Sequence, residues 1–142
     1  MNKAKIDRDI PIAYAALKET GIVEQDPKAD NRDAINPSFR GQIATFGAAV
    51  SMGSLLSAIA FFSEKDKSAV ERYKLLDAIL YILHAHEPDT RYDSLYQYAA
   101  EHDGHTKPDC REDVLNAAIA LKLAINLYPK RKNESDKQEQ TP

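Results

Sequence analysis

The chain has 142 residues, of which 43% are hydrophobic and 29% charged, a balance typical of one globular domain and not of collagen, coiled-coil or low-complexity proteins. Because phosphate affinity grows with the number of Lys and Arg contacts, 19 basic against 22 acidic residues and a net charge of −3 argue against tight nucleic-acid binding by the isolated chain. Seven prolines and five glycines favour a helical fold over a β-fold with many turns.

The N-terminal segment predicts a helix followed by a loop. Apolar residues recur on one helical face between Asp7 and Thr20, with Pro11 in the first turn and Gly21 just after the end. Residues 23–35 show no periodicity and predict a loop. Its acidic residues cannot face a phosphate backbone, so they either contact a basic neighbour or are solvated; they are Asp26, Asp30 and Asp33.

The middle of the chain predicts two helices separated at Gly53, the first of which opens at Asn36-Pro37. Residues 41–63 contain no charge and are long enough to span a membrane, but their many Gly, Ser, Thr and Gln residues favour two buried helices of a globular core. Small side chains allow close helix approach, either within the monomer or to another subunit; they are Gly41, Ala44, Gly47, Ala48, Ser51, Ser54, Ser57 and Ala58.

Three more helices are predicted towards the C-terminus. The first starts at Ser68, with Glu71 completing a capping box, and stops before Pro88; a shorter helix covers 92–99. The last, capped by Asp109 and reaching Tyr128, is apolar on nearly every face and should lie at the centre. The predicted fold is therefore an all-α, compact single-domain bundle of five to six helices with a central C-terminal helix.

We expect this bundle to comprise residues 1–128 and to be followed by a disordered polar tail, 129–142, because the tail has no apolar residue to bury. The basic run 130–132 fits either a favourable contact with the dipole of the preceding helix or a phosphate contact.

Residues capable of catalysis are present but not in catalytic spacing. The lone Cys110 and a charged N-terminus without an apolar signal core predict a cytoplasmic protein. Four histidines and Cys110 lack the spacing of metal sites, and His84 and His86 should point in different directions, as surface histidines near a turn. Without a nucleophile elbow or phosphate loop, we expect no enzyme activity, cofactor or metal.

Two basic residues are isolated in apolar surroundings. Arg40 is the last charge before Glu64, and Lys122 lies within the apolar final helix. Either their stems pack on apolar surface while their charged groups stay in water, or the charged groups bind a polyanion.

Three blocks resemble one known family: IPIAYAALKETGI, FRGQIATFGAAVSMGSLLSAIAFFSE and LNAAIALKLAINLY. In order and content they are similar to the small all-helical subunit, the fifth Cmr protein, of the type III-B CRISPR-Cas effector (Cmr) complex. The middle block is the most specific, with its aromatic-Arg-Gly start, Phe-Gly-Ala-Ala core and glycine break. The resemblance extends from about Ile6 to Tyr128 and is weakest over 64–112.

The resemblance implies a non-catalytic role in antiviral defence. Members of this family stack as a filament beside the backbone subunits, with other Cmr-complex subunits and further copies as partners, and stabilise the duplex of CRISPR RNA and target RNA. By position in the matching blocks, Arg40 and Lys122 would contact RNA, and Arg72 and Lys74 are weaker candidates.

The competing hypothesis is a generic helical protein–protein adaptor with no nucleic-acid role. An extended strand layer, or a deep polar cavity with converging titratable groups, would contradict the prediction of an inert scaffold.

Overall fold

α-Helices make up most of the fold. A computed structural model describes residues 1–65, 70–103 and 109–131. Within these ranges the helices are α1 (Lys3–Glu19), α2 (Ser38–Met52), α3 (Leu55–Phe62), α4 (Tyr73–His86), α5 (Leu95–Glu101) and α6 (Cys110–Ile125), with the strands β1 (Val23–Asp26) and β2 (Arg32–Ile35). The prediction of a mainly helical bundle is confirmed.

α6 lies at the centre of the bundle, as its sequence predicts. It packs against α1, α2 and α4, and its buried residues face all three. The helix ends at Ile125, short of the predicted Tyr128. Asp109 occupies the N-cap position, but its side chain makes no capping hydrogen bond; Glu112 and Asp113 instead place negative charge in the first turn, where the helix dipole favours it.

α1 begins earlier than predicted. The Asn2 side chain accepts a hydrogen bond from the Lys5 amide at 3.1 Å, so the helix starts at Lys3 and Pro11 lies in its interior, not in its first turn. Proline has no N–H, and the carbonyl of Asp7 therefore loses its helical partner. Gly21 follows the helix at φ +79°, which confirms its predicted role at the helix end.

The predicted loop 23–35 is wrong, because β1 and β2 form an antiparallel hairpin in which Val23 faces Ile35. The Asp26 carboxylate accepts from the Lys28 amide at 3.0 Å, and Asp30 and Asn31 complete the turn with positive φ angles. Four-residue strands are too short for alternation to stand out in sequence, whereas Asp and Asn tolerate this left-handed turn.

The predicted helix break at Gly53 is confirmed. α2 ends at Met52, and the Ser54 hydroxyl caps α3 by accepting from the Ser57 amide at 3.1 Å. The predicted start of the following helix at Ser68, with Glu71 in its first turn, is wrong: α4 begins at Tyr73, and Glu71 precedes the helix. Ser68, the other half of the predicted capping box, lies outside the described residues.

The chain beyond α6 runs beside the hairpin. Ile35 donates its N–H to the Pro129 carbonyl at 2.9 Å, and its own carbonyl accepts from the Arg131 amide at 2.8 Å. The rest of the predicted tail, 132–142, lies outside the described residues. Among the described helices, none combines the length and apolar character needed to cross a bilayer.

Candidate nucleic-acid interface

Two adjoining cavities follow the junction of α2 with α6 and the segment after it; we call their lining residues the α2–α6 seam. The first, of about 240 Å³, is lined by Ile35, Pro37, Arg40, Ile125, Asn126, Tyr128, Pro129 and Lys130. The second, of about 200 Å³, is lined by Ile43, Ala44, Gly47, Ala48, Ser51, Leu115, Ala118, Ile119 and Lys122. The seam therefore contains both isolated cations that the sequence singled out.

Arg40 and Lys122 occupy neighbouring turns of the seam. Arg40 shares one cavity with Asn126, and Ala44, four residues after Arg40, shares the other with Lys122, four residues before Asn126. α2 and α6 thus run in opposite directions here. The two cations are offset by about one helical turn, ~5.4 Å along the helix axes.

The cations of the seam have no carboxylate partner in the described chain. Arg40, Lys122 and Lys130 are all exposed, and no Asp or Glu is among the described residues that line either cavity. Arg131 differs, because it lies 3.6 Å from Glu24 in an ion pair. The seam is therefore a local cluster of three positive charges on a chain whose net charge is negative.

Arg72 does not belong to this cluster. Its guanidinium covers the Phe61 ring at 4.3 Å, donates to the Phe61 carbonyl at 3.2 Å and lies 3.5 Å from Glu64. Only 12% of the side chain is exposed. These contacts fix the end of α3, so the structure gives Arg72 a structural role.

Lys74 is engaged in a similar way. Its ammonium lies 3.1 Å from the Glu71 carboxylate and donates to the Gly21 carbonyl at 3.4 Å. It therefore ties the start of α4 to the end of α1 and is not positioned in the seam.

The small residues of α2 form an open groove and not a tight helix contact. A Cβ atom added at Gly41 or Gly47 would meet no atom within 4 Å, and Ala44, Ala48 and Ser51 are exposed. Within the monomer, therefore, the close approach that these residues allow is not used on this face.

The acidic residues of the hairpin have separate local roles. Asp26 is buried and holds the turn, and Asp33 pairs with Lys18 at 3.4 Å. They do not form one acidic surface with the exposed Asp30.

The described histidines lie at the ends of α4 and α5 and are half-buried, and each has a partner that their interpretation as surface residues did not include. His84 accepts the Tyr92 N–H at 3.1 Å, His86 lies 2.7 Å from Asp9, and His102 lies 2.6 Å from the Tyr92 hydroxyl. His84 and His86 do point to different partners, as predicted. His105 lies outside the described residues, among which no three His, Cys, Asp or Glu side chains are grouped as a metal site would need.

The hydrogen bond between His84 and Tyr92 predicts a pH dependence. Burial, and then the charge of Arg91, lowers the pKa of His84 from its ordinary value of 6.5. The neutral ring, which can accept the Tyr92 N–H, thus contributes stability that is fully present above the unfolded pKa of about 6.5 and is lost as the pH falls below it. NMR titration should give an apparent pKa below 6.5 for His84, with loss of protection at the Tyr92 amide at acid pH.

A His84→Leu variant provides the control, because its Tyr92 amide should exchange rapidly at every pH tested. An apparent pKa of His84 at or above 6.5 would contradict the prediction.

A polar cavity of about 180 Å³ lies between α1, α4, α5 and α6, and we call it the Asp9 cavity. It is lined by Lys5, Arg8, Asp9, Leu83, His86, Glu87, Tyr98, Asp113 and Asn116. Titratable groups therefore do converge on one cavity, contrary to the expectation for an inert scaffold; Asp9 is buried, whereas the Lys5 and Arg8 side chains are 39% and 50% exposed. The described lining includes no Ser, Thr or Cys, so it offers neither a hydroxyl of that type nor a thiol as nucleophile.

Sequence reasoning missed this cavity, although one signal was available. Asp9 lies on the same helical face as Ile6 and Ala13, where an apolar residue is expected, and it is 2% exposed. Its partner His86 is 77 residues away along the chain, and no local pattern reveals such a pair.

Comparison of the chain with protein-family models, curated protein sequences and solved structures gives no match.

Proposed function

We propose that this protein is a non-catalytic small subunit of a type III-B CRISPR RNA-guided effector complex, and that its α2–α6 seam faces the guide–target RNA duplex. The resemblance of three sequence blocks supports the complex. The observation that supports the RNA-facing surface is the cluster of Arg40, Lys122 and Lys130, exposed and without a carboxylate partner in the described chain.

The chemistry of the seam favours recognition of the RNA sugar–phosphate backbone over recognition of the bases. The one aromatic residue among its described lining, Tyr128, stacks on Tyr14 at 4.3 Å and donates its hydroxyl hydrogen to the Tyr14 carbonyl at 2.8 Å. It is therefore not available as a stacking platform. Cations without base contacts bind nucleic acid independently of sequence.

Three phosphate contacts give weak binding by one copy. A repeated assembly multiplies such contacts along one RNA strand, so each copy needs only a few. The exposed small residues of α2 leave room beside Lys122 for RNA or a neighbouring subunit to approach the backbone closely.

The proposal predicts weak, salt-dependent RNA binding by the purified chain. Because each phosphate contact on a single strand contributes about −0.7 to the slope of log K against log salt, three contacts give a slope of about −2. Fluorescence anisotropy with labelled single-stranded RNA measures the slope. Sub-micromolar binding that is insensitive to salt would contradict the proposal.

The decisive variant is Arg40→Glu combined with Lys122→Glu, and its matched control is Lys3→Glu with Lys28→Glu, two exposed cations outside the seam. Both pairs change the net charge equally. We expect the seam variant alone to lower RNA occupancy of the assembled complex, with the helical circular dichroism signal unchanged in both. Equal losses of RNA occupancy in the two variants would mean that net charge alone explains the effect. Loss of the helical signal in the seam variant would mean that Arg40 and Lys122 are needed for folding.

Nuclease treatment during purification from the native host distinguishes the proposed RNA-bound subunit from a generic adaptor. An assembly organised by RNA should lose copies of this protein, whereas an adaptor should keep its partners. Genes for backbone and polymerase-like subunits beside this one would support the CRISPR assignment directly.

A further inference from the structure

An open groove lies between α1 and α4, and it shares no described lining residue with the α2–α6 seam. We call it the Arg91 groove; its lining residues are Pro11, Ile12, Ala15, Tyr81, His84, Ala85, Pro88 and Arg91. Most of them are exposed, and Ile12 and His84 are half-buried, so a ligand can reach the groove from solvent. Its volume of about 530 Å³ lies within the roughly 300–1,000 Å³ typical of small-molecule pockets.

The walls of the Arg91 groove are mostly apolar along both helices. The first half of α1 contacts the end of α4 at Asp9 and His86, and Lys74 at the start of α4 contacts Gly21 just after α1. The two helices therefore run in opposite directions, and Arg91, which follows α4, lies at one end of the groove. From this end the apolar lining extends for about two helical turns, ~10 Å, along α4.

Two hydrogen-bond donors of the groove are unpaired and accessible. Arg91 is exposed and makes no ion pair with any described carboxylate. His84 Nε2 accepts the Tyr92 N–H at 3.1 Å, so the hydrogen of the neutral ring is on Nδ1. Nδ1 has no partner among the described residues and is not buried, which leaves it able to donate to a ligand. Burial, and then the charge of Arg91, lowers the pKa of His84, so the ring is neutral at pH 7 and lies near the guanidinium.

These groups define the charge and the shape of the ligand. No Asp or Glu is among the described residues that line the groove, so a cation would meet Arg91 without a compensating carboxylate. A carboxylate offers one oxygen to the guanidinium and one to His84 Nδ1, and hydrogen bonds to an ionised group are the strong ones. A compact anion such as inorganic phosphate would leave the apolar walls in contact with water, whereas an alkyl chain would cover them.

We propose that the Arg91 groove is a binding site for a medium-chain aliphatic carboxylate. The carboxylate accepts hydrogen bonds from the Arg91 guanidinium and from His84 Nδ1, and the alkyl chain lies against Ile12 and Ala85 and extends towards Tyr81. Because the groove and the seam have no described lining residue in common, this binding is separate from the proposed RNA contacts.

The test is isothermal titration calorimetry of the full chain with octanoate, whose extended chain is about as long as the apolar lining. Acetate and inorganic phosphate keep the negative charge without the chain, and octylammonium keeps the chain with the opposite charge. We expect octanoate to bind and the other three to bind at least about tenfold more weakly, because each buried CH₂ group is worth about fourfold in affinity and octylammonium would be repelled by Arg91. Absence of octanoate binding would overturn the proposal. Phosphate or octylammonium binding as tightly as octanoate would also overturn it, and in the case of phosphate would indicate a contact for a nucleic-acid backbone.

Two variants locate the binding. Arg91→Gln removes the cation without breaking an ion pair of the described chain, and Ala85→Phe fills the apolar wall from an exposed position of α4. Each should weaken octanoate binding about tenfold, whereas the matched control Arg32→Gln, which changes an exposed arginine of β2, should not. Circular dichroism checks folding, and Arg91→Gln keeps the test informative where Ala85→Phe fails to fold. Unchanged affinity in the folded Arg91→Gln variant would place octanoate elsewhere and overturn the proposal.

Occupancy of the groove should also be visible at His84. A bound carboxylate offsets the charge of Arg91, so NMR titration should give a higher apparent pKa for His84 with octanoate than without it. The ring signals of His102, which lies outside the groove, provide the control. An apparent pKa of His84 that octanoate leaves unchanged would contradict the contact with Nδ1.

Discussion

Replacement of Phe62 by alanine is expected to lower the free energy of unfolding by about 3–5 kcal/mol. The side chain is 0% exposed, and its ring meets that of Phe46 edge to face at 5.3 Å. The truncation removes these contacts and leaves a cavity in the core between α2 and α3. Since domains of this kind are stable by about 5–15 kcal/mol, much of the total is lost, and urea unfolding followed by circular dichroism measures it.

The neighbouring Phe61 provides the matched control. It is 57% exposed; its ring lies edge to face with that of Phe62 at 5.8 Å and contacts the Arg72 guanidinium at 4.3 Å from the ring centre. Such a contact at an exposed site is worth about 0.5–1 kcal/mol, so Phe61→Ala should cost much less than Phe62→Ala. Equal losses in the two variants would mean that α3 turns a different face to the core.

Helical periodicity predicted the part of the fold that depends on local sequence. The buried face of α3 and the central position of α6 both follow from which residues are apolar at helical spacing. Helix starts were less predictable: the cap at Asn2 has a sequence signal, whereas α4 starts after Arg72 without a side-chain capping hydrogen bond.

The hairpin could not be predicted in the same way, because its strands have only four residues each and the second also bonds to a segment far along the chain. Ile35 lies opposite Val23 in the hairpin, and its N–H and carbonyl bond to Pro129 and Arg131, about a hundred residues further along the chain. The sequence shows only a turn-forming Asp-Pro and Asp-Asn, and it does not show which segments those turns bring together.

The same distinction separates the four predicted RNA-contact residues. Arg40 and Lys122 were singled out because their neighbours in sequence are uncharged, and this local fact is also why no carboxylate lies beside them in the seam. Arg72 and Lys74 find their partners on other elements, at Phe61 and Gly21. The contacts with Phe61 and Gly21 were therefore visible only in three dimensions, whereas the Glu71–Lys74 pair is three residues apart and could be read from the sequence.

The two glycines of the α2 region should respond to alanine in opposite directions. At Gly53 an added Cβ would lie 2.9 Å from the Ala49 carbonyl oxygen, which already accepts the Gly53 N–H, so Gly53→Ala should lower the free energy of unfolding by about 1–3 kcal/mol. At Gly47, inside α2, an added Cβ meets nothing within 4 Å, and Gly47→Ala should raise it by about 0.5–1 kcal/mol. Urea midpoints of the two variants against the parent chain measure both effects.

The opposite signs matter for function as well as for stability. Gly53 is needed by the fold, whereas Gly47 makes the monomer less stable than alanine would and leaves the seam open beside Lys122. A glycine that makes the free chain less stable, as Gly47 does, has a reason to be present if a partner approaches the α2 backbone at that position. Gly47→Ala should therefore stabilise the free chain and yet lower its incorporation into the RNA-bound assembly, and a variant that is both more stable and fully incorporated would show that nothing contacts the seam at this point.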